Sequence, residues 1–493
     1  MRVDWRGAGV VSALTAFALI VHGYHPYVED GGLYVAGVKK LLDPQLYPAW
    51  TEFVTEHLRF SVFAPVVAAL VRGTHLSLPW VLLLLYLGST WATLYAAWMI
   101  LVRTTDRVTG RCGGVTLLAC WLTMPIAGTS LMLMDPYVTA RSFSTPLALL
   151  AVAWAVDGSR GSLRGWVLAG LAIAAAAVVH PLMAGYALAA VIVLACVGAR
   201  DARVRRWGPW CLAAGALVAA AGLYAKSGPE SAEYVRVAMT RYYWFPFQWE
   251  WYEQVGLIAP LGLLAVLLRG RLSVAGRMAI ALGLISLLVA VVFSRAGLTH
   301  HLVARMQPLR CFQMVYEVMI LLLGAWVGER VLRRAWWRWA LLLGVFGLLF
   351  FYVQRNTFPA STHLEMPWRA ERNPWVRAFV WARENTAKDA LFALDARYIT
   401  RDGEDAQCFR PIAERSALAD YSKDGGEASI TPDLTDAWVL GQSIQTDLNT
   451  ENDAVRSAKL GGTGVSWVVL RQDSVTSWRC AYQNDTAKVC AVP

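Results

Sequence analysis

Long apolar runs, separated by short arginine-rich loops, fill the first 353 residues of this chain. Eleven of these runs approach the length that spans a bilayer, which for an α-helix is ~20 residues, although some are short. They lie at 8–24, 79–102, 112–134, 143–158, 164–180, 182–198, 208–226, 253–269, 273–294, 310–328 and 335–353. The pattern predicts an α-helical polytopic membrane protein with about 11 transmembrane helices.

The loops between these runs predict how the chain is oriented. Five of them carry 16 Arg against 4 Asp and Glu, at 103–111, 156–165, 199–207, 269–277 and 328–338. Cytoplasmic loops are enriched in Lys and Arg, so we expect these loops, and the N-terminus with Arg2 and Arg6, on the cytoplasmic side. An odd number of spans then places the C-terminal region outside, in the periplasm of a bacterial-type inner membrane.

One further apolar stretch, FSVFAPVVAALV at 60–71, is too short to cross a bilayer comfortably. We expect it to form an interfacial or re-entrant helix on the outer face. The predicted orientation depends on this assignment, because a crossing here would invert every later loop and leave the arginine bias unexplained.

The predicted topology collects the polar segments on the outer face. These segments are 25–78, 135–142, the bend at His180 and Pro181, 227–252, 295–309 and everything after about 354. We therefore divide the chain into a transmembrane domain, 1–353, with juxtamembrane helices at 25–78, and an extracytoplasmic domain, 354–493. An active site should face outward.

The last part of the chain changes from apolar to polar and predicts a small α/β domain. NPWVRAFVWARENT predicts an amphipathic helix that ends near Asn385, with Trp375 and Phe379 facing inward. Further elements are expected as strands at ALFALD and VSWVVL, helices at 434–447 and 451–459, and a hairpin at 478–492. In an oxidising compartment, Cys480 and Cys490 of this hairpin could form a cross-strand disulfide.

Composition favours a membrane protein over a soluble enzyme, because 57% of the residues are hydrophobic and 16% are charged. The net charge of +10 does not indicate nucleic-acid binding. Residues 354–493 carry 16 Lys and Arg against 19 Asp and Glu, whereas the remainder carries 29 against 16. The basicity therefore belongs to the membrane part. The eight cysteines show neither a CxxC pair nor Cys/His metal spacing.

The stretch YVEDGGLYVAGVKKLL places Glu29 and Asp30 side by side directly after the first span. The residues that follow, 33–42, predict a short amphipathic helix along the membrane. Asp30 could simply cap that helix, with the two glycines forming the turn. A cap needs only one side chain, however, which leaves Glu29 without a structural role. Adjacent carboxylates near a low-dielectric surface have raised proton affinity, which suits a general base.

A second acidic site lies in the next outer loop, MLMDPYVTARSFSTP. Asp135 suits a helix-ending turn, and the residues before Pro146 suit a helix start, so ordinary structure explains most of this loop. Arg141 does not fit that explanation. An outward arginine at the edge of a span is an exception to the positive-inside rule and a functional candidate.

Cationic side chains form a third group of candidates on the outer face. They are His180, Arg295, His300, His301, Arg305 and Arg310. Arginine forks suit phosphate oxygens, although such residues can equally snorkel to outer-leaflet headgroups. The aromatic run RYYWFPFQWEWYEQ at 241–254 suits an interfacial belt, or a platform for an isoprenoid tail or a sugar ring.

One reaction class uses all of these groups together. Transfer of a sugar from a polyprenyl-phosphate carrier to an acceptor outside the membrane needs a carboxylate that takes the acceptor's proton. It also needs cations that stabilise the departing lipid phosphate, and an apolar groove for the carrier.

The same features resemble the GT-C superfamily of integral-membrane glycosyltransferases. Its members are similar in having an acidic pair after the first span, a juxtamembrane helix behind it and an acid in the next outer loop. Here the matching residues are Glu29, Asp30 and Asp135, with Arg141 as a phosphate partner. The region 381–420 also resembles extracytoplasmic segments of bacterial membrane proteins with this architecture. The WWDYG-like acceptor motif of oligosaccharyltransferases is absent from the sequence, which argues against protein glycosylation.

The resemblance implies an inverting glycosyltransferase with Asp30 as base, Glu29 as its partner and Asp135 as second acid. Arg141 and Arg305 would contact phosphate. No cofactor is certain. Some members of the superfamily bind a divalent metal at the acidic pair, so Mg²⁺ or Mn²⁺ at Glu29, Asp30 and Asp135 stays open. The implied partners are a polyprenyl-phosphate sugar donor, a glycan, lipid or protein acceptor, and the bilayer, without nucleic acid.

Three alternatives stay open. A transporter would place charged residues in mid-span and carry inverted repeats, whereas these spans are nearly free of charge. A noncatalytic scaffold that uses the outer α/β domain to bind a partner is compatible with the whole sequence. A polysaccharide polymerase or ligase of another membrane fold would use outward Arg and His but would not need the acid pair.

Overall fold

The structure, a computed structural model, describes residues 5–267, 273–400, 405 and 407–493. The helices that precede the C-terminal domain are α1 (Trp5–His22), α2 (Glu29–Leu42), α3 (Glu52–Thr55), α4 (Phe63–Thr74), α5 (Leu78–Thr104), α6 (Val108–Cys120), α7 (Ala140–Ser159), α8 (Leu163–Val179), α9 (Pro181–Val197), α10 (Ala202–Lys226), α11 (Ala232–Met239), α12 (Trp251–Leu267), α13 (Val274–Phe293), α14 (Leu302–Arg305), α15 (Phe312–Val327) and α16 (Trp336–Thr357). Arg2, the end of the predicted span 253–269 and the start of the loop 269–277 lie outside the described residues.

Each of the eleven apolar runs coincides with a helix, but the number of membrane crossings is not confirmed. By length and hydropathy, six helical segments of the described chain qualify as spans, at Trp5–His22, Leu78–Thr104, Ala202–Lys226, Val274–Phe293, Leu302–Leu332 and Trp336–Thr357. Helices α6, α8, α9 and α12 are apolar but have only 13 to 17 residues. The run predicted at 112–134 is wrong in its second half, because α6 ends at Cys120 and an irregular loop follows.

The segment around 60–71 is sharply bent. Glu52–Phe60 and Phe63–Thr74 together are long and apolar enough for a span, but the two halves meet at 98°. At the bend, Ser61 donates a hydrogen bond to the Val179 carbonyl oxygen. This geometry fits either a broken span or a re-entrant loop, so the placement of 60–71 on the outer face stays a prediction.

Arginine-rich loops meet at one end of the helix bundle. Arg103 pairs with Asp157, at 2.8 Å between Nη2 and Oδ2. Arg160 donates to the Arg103 carbonyl oxygen, and Arg200 donates to that of Arg160. Loops that share one side of a membrane should meet in this way.

A five-stranded sheet with flanking helices forms the C-terminal domain, in strand order β2-β1-β3-β5-β4. Its elements are α17 (Pro374–Asn385), β1 (Leu391–Leu394), α18 (Phe409–Ala413), β2 (Ser416–Ala417), α19 (Lys423–Ile430), α20 (Thr435–Gln445), α21 (Asp453–Leu460), β3 (Val465–Arg471), β4 (Cys480–Gln483) and β5 (Ala487–Ala491). Strand β1 runs parallel to β2 and β3, whereas β5 is antiparallel to β3 and β4. The predicted hairpin is confirmed, and a disulfide joins Cys480 to Cys490 across it.

Most predicted elements of this domain are confirmed. Helix α17 ends at Asn385 and buries Trp375 and Phe379, while ALFALD and VSWVVL form β1 and β3. The sequence does not predict α18, β2 or α19. All three are short, and α19 contains two adjacent glycines, which lower helix propensity.

Two ion pairs tie the C-terminal domain to helix α2. Lys39 Nζ lies 2.6 Å from Glu414 Oε1, and Lys388 Nζ lies 2.5 Å from Asp43 Oδ2. The domain therefore packs on the juxtamembrane helix that begins with the acid pair. The division of the chain at residue 354 stays a prediction.

Candidate active site

A cavity of about 730 Å³ lies between the helix bundle and the C-terminal domain. Its walls come from the start of α2, the loop after α6, the segment around 241–253, the end of α16 and the C-terminal domain. Glu29, Asp30 and Asp135 all line it, and we call it the acid cavity. Tertiary packing thus brings these three carboxylates together from two separate segments of the chain.

The acid pair forms the first turn of α2 and does not act as its cap. The cap residue is Val28, and the helix begins at Glu29, earlier than predicted. Glu29 has a φ of +50°, a left-handed conformation that is uncommon for residues other than glycine. Such strain often accompanies a functional site, because packing must hold it in place. The explanation of Asp30 as a simple helix cap is therefore wrong.

The two glycines after the acid pair allow close packing rather than a turn. A Cβ added to Gly31 would lie 3.0 Å from the Tyr137 side chain. A Cβ added to Gly32 would lie 2.4 Å from the Cys408 side chain. A larger residue at either position would push α2 away from the Asp135 loop or from the C-terminal domain.

Lys423, the first residue of α19, lies between the two adjacent carboxylates. Its Nζ pairs with Glu29 Oε2 and lies 3.1 Å from Asp30 Oδ1. The Lys423 side chain is 15% exposed. No local sequence pattern points to this residue, because it lies far along the chain from the acid pair, in a short helix with two adjacent glycines.

Contacts at the start of α19 hold Lys423 in place. Arg241 donates to the carbonyl oxygens of Tyr421, at 2.9 Å, and Ser422, at 2.8 Å. Asp420 Oδ1 accepts hydrogen bonds from the backbone N–H groups of Ser422 and Lys423, at 2.7 and 2.6 Å. Lys423 is therefore fixed by groups from both the membrane part and its own domain.

Neighbouring charges shift the pKa values at the acid pair. Burial raises the pKa of Asp30, but three cations outweigh it and hold that pKa below its usual value; they are Lys423, Arg310 and Arg141. The Asp30 side chain is 56% exposed and lines the acid cavity, where the surrounding protein walls displace part of its water. Burial opposes the charge of Lys423, whereas Asp30 and Glu29 raise its pKa well above its usual value. Asp30 is therefore ionised at neutral pH, as a proton acceptor must be, and the expected rise in its proton affinity is wrong.

Asp135 and Arg141 form a second, largely buried ion pair. Arg141 Nη2 donates to Asp135 Oδ2, and Arg141 Nη1 donates to the Met132 carbonyl oxygen at 2.6 Å. Burial raises the pKa of Asp135; Arg141 lowers it in part and Asp30 raises it again, so that the net shift is upward. Arg141 thus acts on the cavity through Asp135 and its loop.

A second cavity, of about 440 Å³, adjoins the first. The residues that line both are Asp30, Tyr243, Arg310, Lys423 and Gly426. Apolar side chains of the second cavity include Leu33, Phe60, Leu182, Leu302, Met306 and Ile430. We call it the apolar cavity. The predicted substrate-binding residues His180 and Arg305 line it as well.

Arg310 stands where the two cavities meet. Its guanidinium lies 5.9 Å from the centre of the Tyr243 ring. Its Nε is buried and has no hydrogen-bond partner within the described part of the chain. A guanidinium with an unused donor at a cavity wall is suited to an anionic ligand such as phosphate.

Four residues predicted to bind substrate or its phosphate lie away from the described walls of both cavities: Arg141, Arg295, His300 and His301. Arg295 packs on the Phe247 ring, with 5.4 Å between the guanidinium and the ring centre. His301 Nδ1 lies 2.7 Å from Glu230 Oε2. In the sequence, these residues share a predicted outward location and the capacity for positive charge. Neither property specifies where a side chain points.

The contacts of the three acids do not fit a divalent metal site. Glu29 and Asp30 share Lys423, and Asp135 pairs with Arg141, so each carboxylate already has a cationic partner. Within the described residues, His, Cys, Asp and Glu side chains form no group of three suited to a metal ion.

The chain matches no protein-family model and no curated protein sequence. Its structure is similar to that of the Archaeoglobus fulgidus oligosaccharyltransferase in the apo form, with a TM-score of 0.52 and 11% identity, covering 95% of this chain and 70% of that one. It is also similar to the archaeal oligosaccharyltransferase AglB from Archaeoglobus fulgidus in complex with an inhibitory peptide and a dolichol-phosphate. That match has a TM-score of 0.50 and 11% identity, and it covers 95% of this chain and 69% of the other.

AglB is a member of the GT-C superfamily, so the chain has a GT-C-like fold with a small C-terminal sheet domain, as predicted. Its apolar helices, together with this fold, indicate a multi-pass membrane protein. Because these neighbours are archaeal, the assignment to a bacterial branch stays a prediction.

Proposed function

We propose that this protein is a membrane glycosyltransferase that transfers a sugar from a polyprenyl-phosphate-linked donor to an acceptor at the outer face of the membrane. The observation that carries the proposal is the pair of adjoining cavities. One is lined by Asp30 and four further carboxylates, the wall of the other is richer in apolar surface, and Arg310 lies at their junction. The dolichol-phosphate bound in the AglB complex supports a lipid-phosphate donor.

The two cavities would bind different parts of the donor. The apolar cavity accommodates the first isoprene units of the carrier, because apolar surface forms the larger part of its wall, beside polar groups such as Glu56 and Glu427. Arg310 and Lys423, which line both cavities, contact the phosphate at the junction. The sugar then lies in the acid cavity, within reach of Asp30.

Asp30 is the proposed base. The acceptor hydroxyl gives its proton to the Asp30 carboxylate while its oxygen bonds to the anomeric carbon. The bond between that carbon and the phosphate oxygen breaks, and the lipid phosphate leaves with the electron pair, stabilised by the cations at the junction. Attack from the opposite side inverts the configuration. Glu29 and Asp135 would support Asp30 through the charge balance that they set with Lys423 and Arg141.

The proposed reaction takes place outside the cytoplasm, on a bacterial-type inner membrane. The Cys480–Cys490 disulfide favours an oxidising compartment for the C-terminal domain. The arginine-rich loops lie together at one end of the bundle, which favours a cytoplasmic location for that end. In the acid cavity, Tyr242 and Tyr243 offer ring faces suited to a sugar. A glycan, a lipid or a protein could be the acceptor.

A direct assay uses the full-length protein in lipid nanodiscs with a panel of polyprenyl-phosphate sugars, and membrane extract as the source of acceptor. The measured quantity is the release of polyprenyl phosphate. The Asp30→Asn substitution should slow release by about 10²- to 10⁴-fold, the usual contribution of a general base.

Asp43→Asn is the matched control. Asp43 lies at the other end of the same helix and also pairs with a lysine of the C-terminal domain, Lys388. In the described structure it is not part of either cavity wall. Retained transfer in a Glu29→Gln, Asp30→Asn double variant with unchanged thermal unfolding would contradict the assignment. If the wild-type protein is inactive on every donor, the alternative of a noncatalytic scaffold would be favoured.

A further inference from the structure

The acid pair binds one ammonium group through both of its side chains. Lys423 Nζ pairs with Glu29 Oε2 and lies 3.1 Å from Asp30 Oδ1. Mg²⁺ held by two adjacent carboxylates would bond to the same oxygens at about 2.0–2.1 Å. Ammonium and metal therefore compete for one position, and two cations this close repel each other strongly.

The charges around the acid pair are balanced by the protein's own side chains. Asp135 has Arg141 as its partner. Arg310 lines the acid cavity along with Lys423 and Asp30. Glu253 and Asp405 also line this cavity, but the acid pair itself has Lys423 and Arg310 as cationic neighbours, so the protein already supplies positive charge at this position.

Lys423 differs from the other lysines that join the C-terminal domain to α2. Lys388 is 44% exposed and pairs with Asp43 at the far end of the helix. Lys423 is 15% exposed, and Arg241 and Asp420 fix the backbone on which it stands. An anchoring role alone does not explain why this lysine also lines both cavities.

We propose that Lys423 takes the place of a divalent cation at the acid pair, so that the C-terminal domain supplies the positive charge that a bound metal would bring. One consequence rests on the proposed function: sugar transfer by this protein should need no divalent metal. The occupancy of the site by Lys423 is a separate claim, and it can be tested without any sugar donor.

The test measures Mn²⁺ binding to the purified full-length protein in nanodiscs, from the electron paramagnetic resonance signal of free Mn²⁺. The wild-type protein should show no binding that depends on Glu29 and Asp30. Lys423→Met should gain about tenfold or more in Mn²⁺ affinity, because removing a positive charge within a few ångströms of the ion strengthens its binding. The gain should disappear when Glu29→Gln and Asp30→Asn are added.

Two matched variants complete the test. Lys388→Met removes an equivalent lysine from the other end of α2 and should bind no more Mn²⁺ than the wild-type protein. Lys423→Arg keeps the charge and should also show no gain, even if Lys423→Met lowers the thermal midpoint. The inference is overturned if the wild-type protein binds Mn²⁺ through Glu29 and Asp30, or if a folded Lys423→Met protein gains no affinity. Because no donor is present, neither result depends on whether the protein transfers sugars.

Discussion

Lys423 Nζ lies 3.1 Å from Asp30 Oδ1, although the two residues are 393 positions apart in the chain. One stands on the first helix after the N-terminal span, and the other begins a short helix of the C-terminal domain. Their contact shows that the C-terminal domain completes the acid cavity. The proposed chemistry therefore requires the two parts of the protein to stay docked.

Arg310 should be essential for use of the lipid donor. We expect Arg310→Gln to lower kcat/KM for the polyprenyl-phosphate sugar by about 10²- to 10³-fold, as loss of a donor to a developing anion usually does. Steady-state kinetics of polyprenyl phosphate release measure this effect. Arg295→Gln is the control, since Arg295 packs on Phe247 away from the described cavity walls, and it should retain near wild-type kinetics. Equal losses of kcat/KM in both variants would show that Arg310 has no specific role in the use of the lipid donor.

The Asp135–Arg141 pair should contribute to stability mainly through the cost of breaking it. The two side chains are 11% and 8% exposed. Asp135→Asn leaves a buried, uncompensated arginine and should cost about 3–5 kcal/mol in the free energy of unfolding. The double variant Asp135→Asn, Arg141→Met should unfold at a higher temperature than Asp135→Asn alone. Thermal unfolding in detergent measures both midpoints.

An exposed ion pair provides the comparison for this experiment. Arg236 and Glu233 are 66% and 46% exposed. Glu233→Gln should change the stability by less than about 1 kcal/mol, as is usual for surface pairs. If Asp135→Asn lowers the free energy of unfolding no more than Glu233→Gln does, breaking the Asp135–Arg141 pair does not leave a costly buried charge.

Stability should fall as the pH rises from about 4 to about 7 because of Asp420. Burial, and then the charge of Asp424, raise the pKa of Asp420 to about 7. The folded chain keeps this proton up to about pH 7, whereas an unfolded aspartate loses it near ~3.9. The contribution of this group is thus complete below about pH 4 and is lost as the pH rises towards 7.

We expect the thermal midpoint of the wild-type protein to decline across that range, and the decline to be smaller in Asp420→Asn. The asparagine can still accept hydrogen bonds from the Ser422 and Lys423 N–H groups. Asp433→Asn, an exposed site in the same domain, should keep the wild-type slope. Parallel curves for all three proteins would rule out Asp420 as the titrating group.

The orientation of the chain can be tested with single cysteines. Val475, in the C-terminal domain, is 86% exposed, and Val204, in the arginine-rich first turn of α10, is 45% exposed. A membrane-impermeant maleimide should label Val475→Cys in intact spheroplasts but label Val204→Cys only after lysis. The unmodified chain sets the background from its native cysteines. The reverse pattern would place the C-terminal domain in the cytoplasm and require 60–71 to cross the membrane.

Local patterns in the sequence predict much of the fold and part of the candidate site. The apolar residues up to Cys120 form α6, as predicted. The apolar residues that follow form a loop rather than more helix, because apolar residues can also line a loop that is buried in protein. Adjacent charges after a span identify Glu29 and Asp30. The same logic groups His301 with the substrate-binding residues, whereas the structure pairs it with Glu230.

The sequence by itself determines the helical membrane architecture, the C-terminal α/β domain and the identity of the acid pair. These features are visible in the sequence because hydropathy, charge bias and the alternation of apolar and polar side chains are local patterns that extend over short stretches of residues. Only the tertiary structure decides that Asp135 shares a cavity with Asp30, that Arg310 stands between two cavities, and that Lys423 lies at the acid pair. These relationships depend on how distant segments pack, and a short helix with two glycines carries no local signal of what it will contact.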